Sequence, residues 1–542
     1  MHLSAIDIEV IVAYAVFIFV LAQWVSREKT GHQKNSQDYF LASRALPWWA
    51  IGTSLIAANI SAEQIIGMSG SGYAIGLAIA SYEWMAALTL LIVGNFFLPI
   101  FLKNQIYTMP EFLARRYGPN IQFVMAIFWL VLYVFVNLTS ILWLGATAVH
   151  TVTGLTQEQS LLVLAAFAGA YALYGGLKAI ALTDVVQVTM LVLGGLVIVF
   201  IALTKVSGDT SLLGAFHGFS VLVNKLPNHF HMILGPDSPY YKDLPGLSVI
   251  LGGMWVANLS YWGFNQYIIQ RGLAAKSIQE AQKGIVLAAF LKLLIPVLVV
   301  VPGIAAVVLA PGLKNDQAYP TLMTYLPPGL LGLVFVALIA AIIASMGSKI
   351  NSIATIFTMD VYRTFHRQAS EKKLVVVGRL TAVSGLVIAL IVAKPLIGGF
   401  DQAFQYIQEF SGFFTPGITV IFLLGLFWKR ATEAGALAAA IGSVALSCLY
   451  YFAGWLSLHV FADNAALAGP LAVMGSIPFM NRMGYVFLIC LGLAVIASLL
   501  QKPKPQNVTV DVTNVDFSTS KSFKIAGGAI IAILIALYAT WW

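Results

Sequence analysis

Apolar runs of about twenty residues recur along the whole chain, separated by short polar connections. A run of 18 or more apolar residues is long enough to cross the hydrocarbon of a bilayer as one helix. Fourteen such runs start near residues 6, 48, 77, 121, 159, 180, 247, 285, 329, 374, 403, 433, 483 and 525, which predicts an all-α membrane protein. Two runs are interrupted by polar residues and glycines. The second contains AANISAEQIIGMSGSGYAIG (57–76) and the seventh contains LGGMWVANLSYWGFNQYIIQ (251–270). A broken helix exposes backbone carbonyls, which at membrane depth are tolerated where they line a cavity or bind an ion. The seventh run follows the second by five, so two five-helix repeats with a site at the midplane fit the spacing.

Composition sharpens this picture. Of 542 residues, 59% are hydrophobic and 10% charged, with a mean hydropathy of +0.87. Soluble domains carry about a quarter of their residues as charges. No soluble domain of useful size is left between the runs, which excludes most soluble enzymes. A formal net charge of +8 then says nothing for nucleic-acid binding. The positive-inside rule tests the span count. With the N-terminus outside, the outer connections hold Lys205, Lys225, Lys242, Lys314, Lys394 and Arg482, and Lys292 and Lys349 fall in or near spans. The remaining 22 of 30 basic residues lie inside, as fourteen spans with both termini outside require. The first run, about Ile6 to Val25, lacks a basic leader and reads as a retained span rather than a cleaved signal. Cys448 and Cys490 lie in apolar stretches and read as small buried side chains.

The chemistry is carried by polar groups placed where lipid should be. Ionisable side chains inside spans are costly and mark functional sites by default. They are Glu63, Glu83, Asp184, Lys292 and Glu409, accompanied by Asn59, Gln64, Asn137, Asn258, Asn265 and Gln408. Each alone is equally well read as an inter-helix hydrogen bond. As a set they share helical faces: Phe404 and Gln408 are four apart, and Asn258, Tyr261 and Asn265 follow a three-and-seven spacing. Amides, a carboxylate, an ammonium and aromatic rings suit a neutral polyhydroxylated solute. In the ninth run Ala341, Ser345, Ser348 and Ser352 lie on one face. That stripe fits close helix packing, and Ser345 also fits a hydroxyl ligand for a hard cation held by carbonyls across the gap. GSGYAIG (70–76) follows no strand and is rejected as a phosphate loop. The outer connection from about Ser207 to Pro245 holds His217, His229 and His231 without a ligand pattern, and reads as a solvated, partly ordered loop. The polar tail 501–520 reads as a cytoplasmic linker whose sequon at Asn507 is not modified on that side.

Six segments make the chain resemble the sodium/solute symporter family, and within it the galactose and glucose carriers. They are SLIAANISAEQ (54–64), GLAIASYEWM (76–85), YGGLKAIALTDVVQ (174–187), WVANLSYWGFNQYIIQR (255–271), FTMDVY (357–362) and AFQYIQEF (403–410). The resemblance implies a LeuT-type inverted-repeat core of ten helices, from the second span to the eleventh, with one span before and three after. The divisions are then 1–47, a first repeat 48–205, an outer loop 206–246, a second repeat 247–430, and three C-terminal spans in 431–542.

By similarity, sugar contacts carry over to Gln64, Glu83, Asn258, Lys292 and Gln408, with Tyr261 stacking on the sugar as the inner gate. Met68, Tyr82 and Phe404 close the outer side, and Asn59 ties the broken second span to Tyr261. Sodium is held by the carbonyls of Ala57, Ile60 and Ala341 and the hydroxyl of Ser345, and Asp184 lies on the ion's exit route. Three positions depart from the family pattern. Ala86 and Ala344 stand where the family's galactose carriers have serines, in the sugar and sodium sites respectively, and Leu182 replaces a tryptophan. The resemblance therefore implies sodium-coupled hexose symport in an inner (plasma) membrane, with sugar, sodium and lipid as partners and no nucleic acid or obligate protein partner. Proton coupling, another neutral solute, or a sugar sensor on the same scaffold are the alternatives. An enzyme is disfavoured, since no nucleophile–base pair or metal set is evident. Glu63 receives no role.

Overall fold

A computed structural model describes residues 3–26, 46–106, 108–172, 177–400, 402–501 and 510–542. The connection with Arg27, Lys29, Lys34 and Arg44, the start of the YGG motif, Lys502, Lys504 and the Asn507 sequon lie outside these, as do the side chains of Lys178 and Leu182.

Every described element is helical, and pairing between strands is limited to an isolated bridge of Leu46 with Ala275. A helix stands at each of the fourteen predicted stretches. Among the described residues nine helices are long and apolar enough to cross a membrane. A tenth is gained if Ala403–Ser411 and Thr415–Phe427, bent by 47°, form one span. The second and seventh stretches are broken into shorter helices, and Ala5–Ser26 and Gln157–Ala172, at the first and fifth, are not among those nine either.

The helix α1 (Ala5–Ser26) is fastened by Asp7. Its carboxylate accepts the N–H groups of Gly329 and Gly332, each at 2.7 Å, at the start of the later helix Leu330–Ile356. Such amides have no partner inside their own helix, so a buried carboxylate is a good cap for them. At the opposite kind of terminus, Arg116 donates to the carbonyls of Gly425 (2.9 Å) and Trp428 (2.9 Å), where Thr415–Phe427 ends.

The second stretch divides into α2 (Trp48–Asn59), a π-helical turn Glu63–Gly67 and α3 (Met68–Ala74). It ends at Gly76, whose φ of +94° is accessible to glycine without strain and whose missing Cβ leaves room for the backbone of His229. The following helices that bear on the site are α4 (Ser81–Ile92), α5 (Thr139–Thr153) and α6 (Leu177–Ser207).

The polar connection 207–245 is more ordered than its polarity predicts. It contains α7 (Leu212–Lys225), started by Ser211, whose hydroxyl accepts the Gly214 N–H at 3.0 Å. His229 and His231 bond the carbonyls of Tyr73 (3.3 Å) and Trp542 (3.1 Å), so both are used in packing. The seventh stretch divides into α8 (Gly253–Phe264) and α9 (Gln266–Leu273) around Asn265. Then come α10 (Ile278–Leu309), α11 (Leu330–Ile356), α12 (Ala403–Ser411), α13 (Thr415–Phe427), α14 (Phe479–Leu500) and α15 (Lys521–Trp541).

Candidate functional site

The site is built by the way α2 stops. Ile60 takes an extended conformation (φ −69°, ψ 107°), which turns the chain out of the helix. The Ser61 N–H, which in a continuous helix bonds the Ala57 carbonyl, instead donates to Gln64 Oε1 at 3.3 Å. The Ser61 hydroxyl also donates to Gln64 Oε1 (3.3 Å) and accepts the Glu63 N–H (3.2 Å). Side chains thus replace the backbone ladder, and the Ala57 carbonyl is released from its helical partner. The break in the seventh stretch is tighter. Only Asn265 is extended (φ −79°, ψ 125°), and its carbonyl accepts Ile268 N–H (3.1 Å) and Ile269 N–H (3.0 Å), so a new helix begins at once.

Between the two breaks lies a cavity with about 870 Å³ of open space including its mouth. It is lined by Asn59, Glu63, Gln64, Tyr82, Glu83, Asn137, Asn258, Tyr261, Trp262, Asn265, Phe404 and Gln408, among others. Sites for small ligands set a few polar groups among aromatic walls, as this lining does. Of the residues named for sugar, the cavity brings together Gln64, Glu83, Asn258, Tyr261 and Gln408; Lys292 does not reach its wall. Of the three residues expected to close the outer side, Tyr82 and Phe404 line it and meet edge to face with ring centres 5.1 Å apart. Met68 is fully buried but lines none of it, and neither does Ala86.

Lys292 acts one layer back. Fully buried on α10, its ammonium bonds the Glu83 carboxylate and the Asn59 side-chain oxygen, and lies 4.8 Å from the centre of the Trp262 ring. Asn59 then donates through Nδ2 to the Tyr261 hydroxyl (3.0 Å), which also accepts from the Tyr267 hydroxyl (3.1 Å). A continuous path therefore runs from Glu83 through Lys292 and Asn59 to Tyr261, joining α4, α10, α2 and α8. The Glu83–Lys292 pair leaves carboxylate oxygen, amides and hydroxyls at the wall to meet solute hydroxyls. Asn258 donates to its own helix, at the Met254 carbonyl (3.1 Å), leaving its amide oxygen for the cavity.

Beneath the first break sits a second polar group of residues. Ser345, 1% exposed on α11, accepts a hydrogen bond from Lys349 Nζ at 3.0 Å. Asp184 accepts from Ser54 Oγ at 2.7 Å and interacts electrostatically with Arg271, which also reaches Ser348 Oγ at 3.3 Å. Ala341 and Ala344 are buried on the same helix.

Several participants carry no role in the sequence reading: Ser61, Tyr133, Ser140, Tyr267 and Lys349. Tyr133 donates to Asn265 Oδ1 (2.6 Å), steadying the second break, and Ser140 donates to Glu63 Oε1 (2.6 Å). Their signal was weak because hydroxyls in apolar helices usually bond their own backbone. Lys349 was the readable exception, an ammonium at the end of an apolar run.

Comparison with known proteins bears on this geometry. Residues 39–442 match the sequence pattern of the sodium:solute symporter family. A sodium/glucose cotransporter from Vibrio parahaemolyticus is 49% identical, over 100% of this chain and 99% of that one. The mouse sodium/myo-inositol cotransporter 2 is 34% identical over 79% of this chain and 67% of its own length. Among solved structures, an outward-open, substrate-bound sodium-coupled sialic acid symporter superposes with a TM-score of 0.74, covering 93% of this chain and 99% of the other at 20% identity. The nucleobase–cation symporter Mhp1 gives 0.51, over 91% and 99% at 16% identity.

Proposed function

Since the chain belongs to the sodium:solute symporter family, we propose that it is a sodium-coupled hexose symporter working by alternating access, a carrier rather than an enzyme. The observation that carries the reading is the 49% identity with a sodium/glucose cotransporter along the full chain. The cavity adds chemical sense, since its amides, carboxylate and aromatic rings match a ring bearing hydroxyls.

The chain is a multi-pass membrane protein. The finer architecture of this proposal has fourteen spans, both termini outside an inner membrane, and inverted five-helix repeats in 48–205 and 247–430. Sugar sits against Gln64, Glu83, Asn258, Gln408 and Tyr261, with Lys292 holding Glu83 and Asn59 in place. Tyr82, Phe404 and Met68 cover it from outside, and Tyr261, tied to Asn59, from inside. Sodium takes the carbonyls of Ala57, Ile60 and Ala341 and the Ser345 hydroxyl, and leaves past Asp184. The released Ala57 carbonyl suits this role, as hard cations take oxygen ligands.

Sodium bound across the gap between α2 and α11 stabilises the arrangement in which the sugar site is formed. Its departure lets Tyr261 yield. Each sodium entering supplies about 2.3 kcal/mol per 100 mV, besides its concentration gradient. The test is uptake into proteoliposomes of galactose, glucose, fucose and proline, with an inward sodium gradient and with choline in its place. Sodium-dependent accumulation of a hexose supports the reading. Accumulation of proline alone, or of hexose equally well in choline, overturns it.

A further inference from the structure

Lys349 is buried at the expected sodium site and lacks the partner a buried ammonium needs. It is fully buried on α11, yet no carboxylate among the described residues lies within ion-pair distance of it. Lys292, equally buried, is paired directly with Glu83. Lys349 is instead held as a bound cation is held: Ser345 Oγ accepts from it at 3.0 Å, and the face of the Tyr267 ring lies 4.7 Å away. Glu63 attracts it and Arg271 repels it from the neighbouring elements. A lone buried charge is retained against its desolvation cost when it has a task.

Its position suggests the task. With alanine at 344, Ser345 is the side-chain hydroxyl that the family resemblance leaves for sodium, and Lys349 occupies it. A serine oxygen has two acceptor lone pairs, so geometry alone permits two partners. Two positive charges sharing one oxygen in a buried site repel strongly, because the low dielectric there does little to screen them. Lysine has a long, flexible stem, and the Glu63 carboxylate offers its ammonium a second station. Glu63, which received no role from the sequence, is fixed by Ser140 at 2.6 Å and interacts electrostatically with Lys349.

We propose that Lys349 is a tethered competitor for the sodium site: its ammonium occupies Ser345 in the ion-free carrier, and sodium binds by displacing it toward Glu63. The proposal rests on the reading that transported sodium uses Ser345. It makes Lys349 a determinant of ion affinity in the coupled cycle, acting through charge and position.

The experiment measures the sodium concentration that half-saturates hexose uptake in proteoliposomes, with sodium-22 binding to the purified carrier alongside. The variants are Lys349→Met, Lys349→Gln, Lys349→Arg and Ser345→Ala. Removing the competing charge is expected to lower half-saturation at least tenfold in both neutral variants. Lys349→Arg should stay within about threefold of the parent, and Ser345→Ala should raise half-saturation. If either neutral variant binds sugar normally but leaves half-saturation unchanged or raised, while Ser345→Ala still weakens sodium, the competitor is overturned and the sodium site stands. If Ser345→Ala leaves sodium dependence untouched, the sodium-site reading is overturned, and the competitor with it. Two neutral variants of different polarity guard against one failing to fold.

Discussion

The two interrupted stretches solve the same steric problem in opposite ways. In the first, three residues and a π-helical turn separate α2 from α3, and side chains stand in for the backbone ladder: Ser61 and Gln64 bond each other and the Ser61 amide. In the second, Asn265 alone is extended, and its carbonyl caps α9 within one turn. Both breaks restart the helix from a backbone carbonyl, Ser61 accepting Ile65 N–H at 3.1 Å and Asn265 accepting Ile268 and Ile269 N–H, and the first adds side-chain caps from Ser61 and Gln64. The lesson is that the first break is braced by side chains, while the second is a stiff joint of one residue just beyond Tyr261. An asparagine ties each break to its neighbours: Asn59 to Lys292 and Tyr261, Asn265 to Tyr133.

The largest expected effect comes from cutting the charge that anchors the first break. Lys292→Met leaves the Glu83 carboxylate buried without its partner. Removing one member of a buried ion pair costs about 3–5 kcal/mol. We expect a clear loss of thermal stability in detergent and uptake at background. The double variant Lys292→Met with Glu83→Gln should regain stability, since no bare charge remains, but not uptake. Restored uptake in the double variant would show that the pair is structural support alone.

Much of this was legible because lipid makes polar residues conspicuous. Asn59, Gln64, Glu83, Asn258 and Gln408 stood out within apolar runs, and all five line one cavity. The helical stretches were equally visible, since a bilayer imposes their length. Partnerships were not legible. Lys292 and Glu83 are separated by 209 positions, and nothing local in either run names the other. The Asn59–Tyr261 tie came from family resemblance and never from spacing. The helix α7 was hidden in a connection classed as a loop by its polarity, although Ser211 supplies a good N-cap. Lys349 was passed over because a lysine near the end of a run is ordinarily read as reaching for the interface.

A middle-sized effect separates the two asparagines. Asn59→Ala removes the acceptor for Lys292 and the donor for Tyr261, leaving buried polar groups unmet at about 1–3 kcal/mol each. Asn265→Ala removes the acceptor for Tyr133 and leaves the backbone cap of α9 intact. Hexose uptake should therefore fall at least tenfold in the first and about threefold in the second, on the same conversion of energy to rate. Equal losses would erase the contrast between a break braced by side chains and a stiff joint. A smaller effect is expected at Ser61→Ala, which removes the side-chain half of the first break's substitute ladder. A lost cap of this kind is worth about 1 kcal/mol. It should raise the half-saturating sodium concentration severalfold while leaving sodium-free sugar binding close to the parent value. A selective loss of sugar binding instead would place Ser61 on the sugar's side of the break.

The smallest effect concerns the approach to the second break. Asp243 sits in the turn-rich segment that leads into α8, outside the spans, where burial pushes its carboxyl up to about 6 and the nearby Glu409 charge adds to the shift. Glu409 is itself held by Arg482 at 2.5 Å. A carboxyl raised in the folded state binds more protons folded than unfolded, so between about pH 4 and 6 stability increases as pH falls. That is opposite in sign to a salt-bridged carboxylate. Amide exchange in residues 240–246, corrected for its intrinsic pH dependence, should therefore be slower at pH 5 than at pH 7.5, and Asp243→Asn should abolish the difference. The helix α13 (Thr415–Phe427) holds no ionisable side chain, so exchange along it should not follow the same curve. If both segments respond alike, the pH effect belongs to the molecule as a whole, and Asp243 does not tune the approach to the second break.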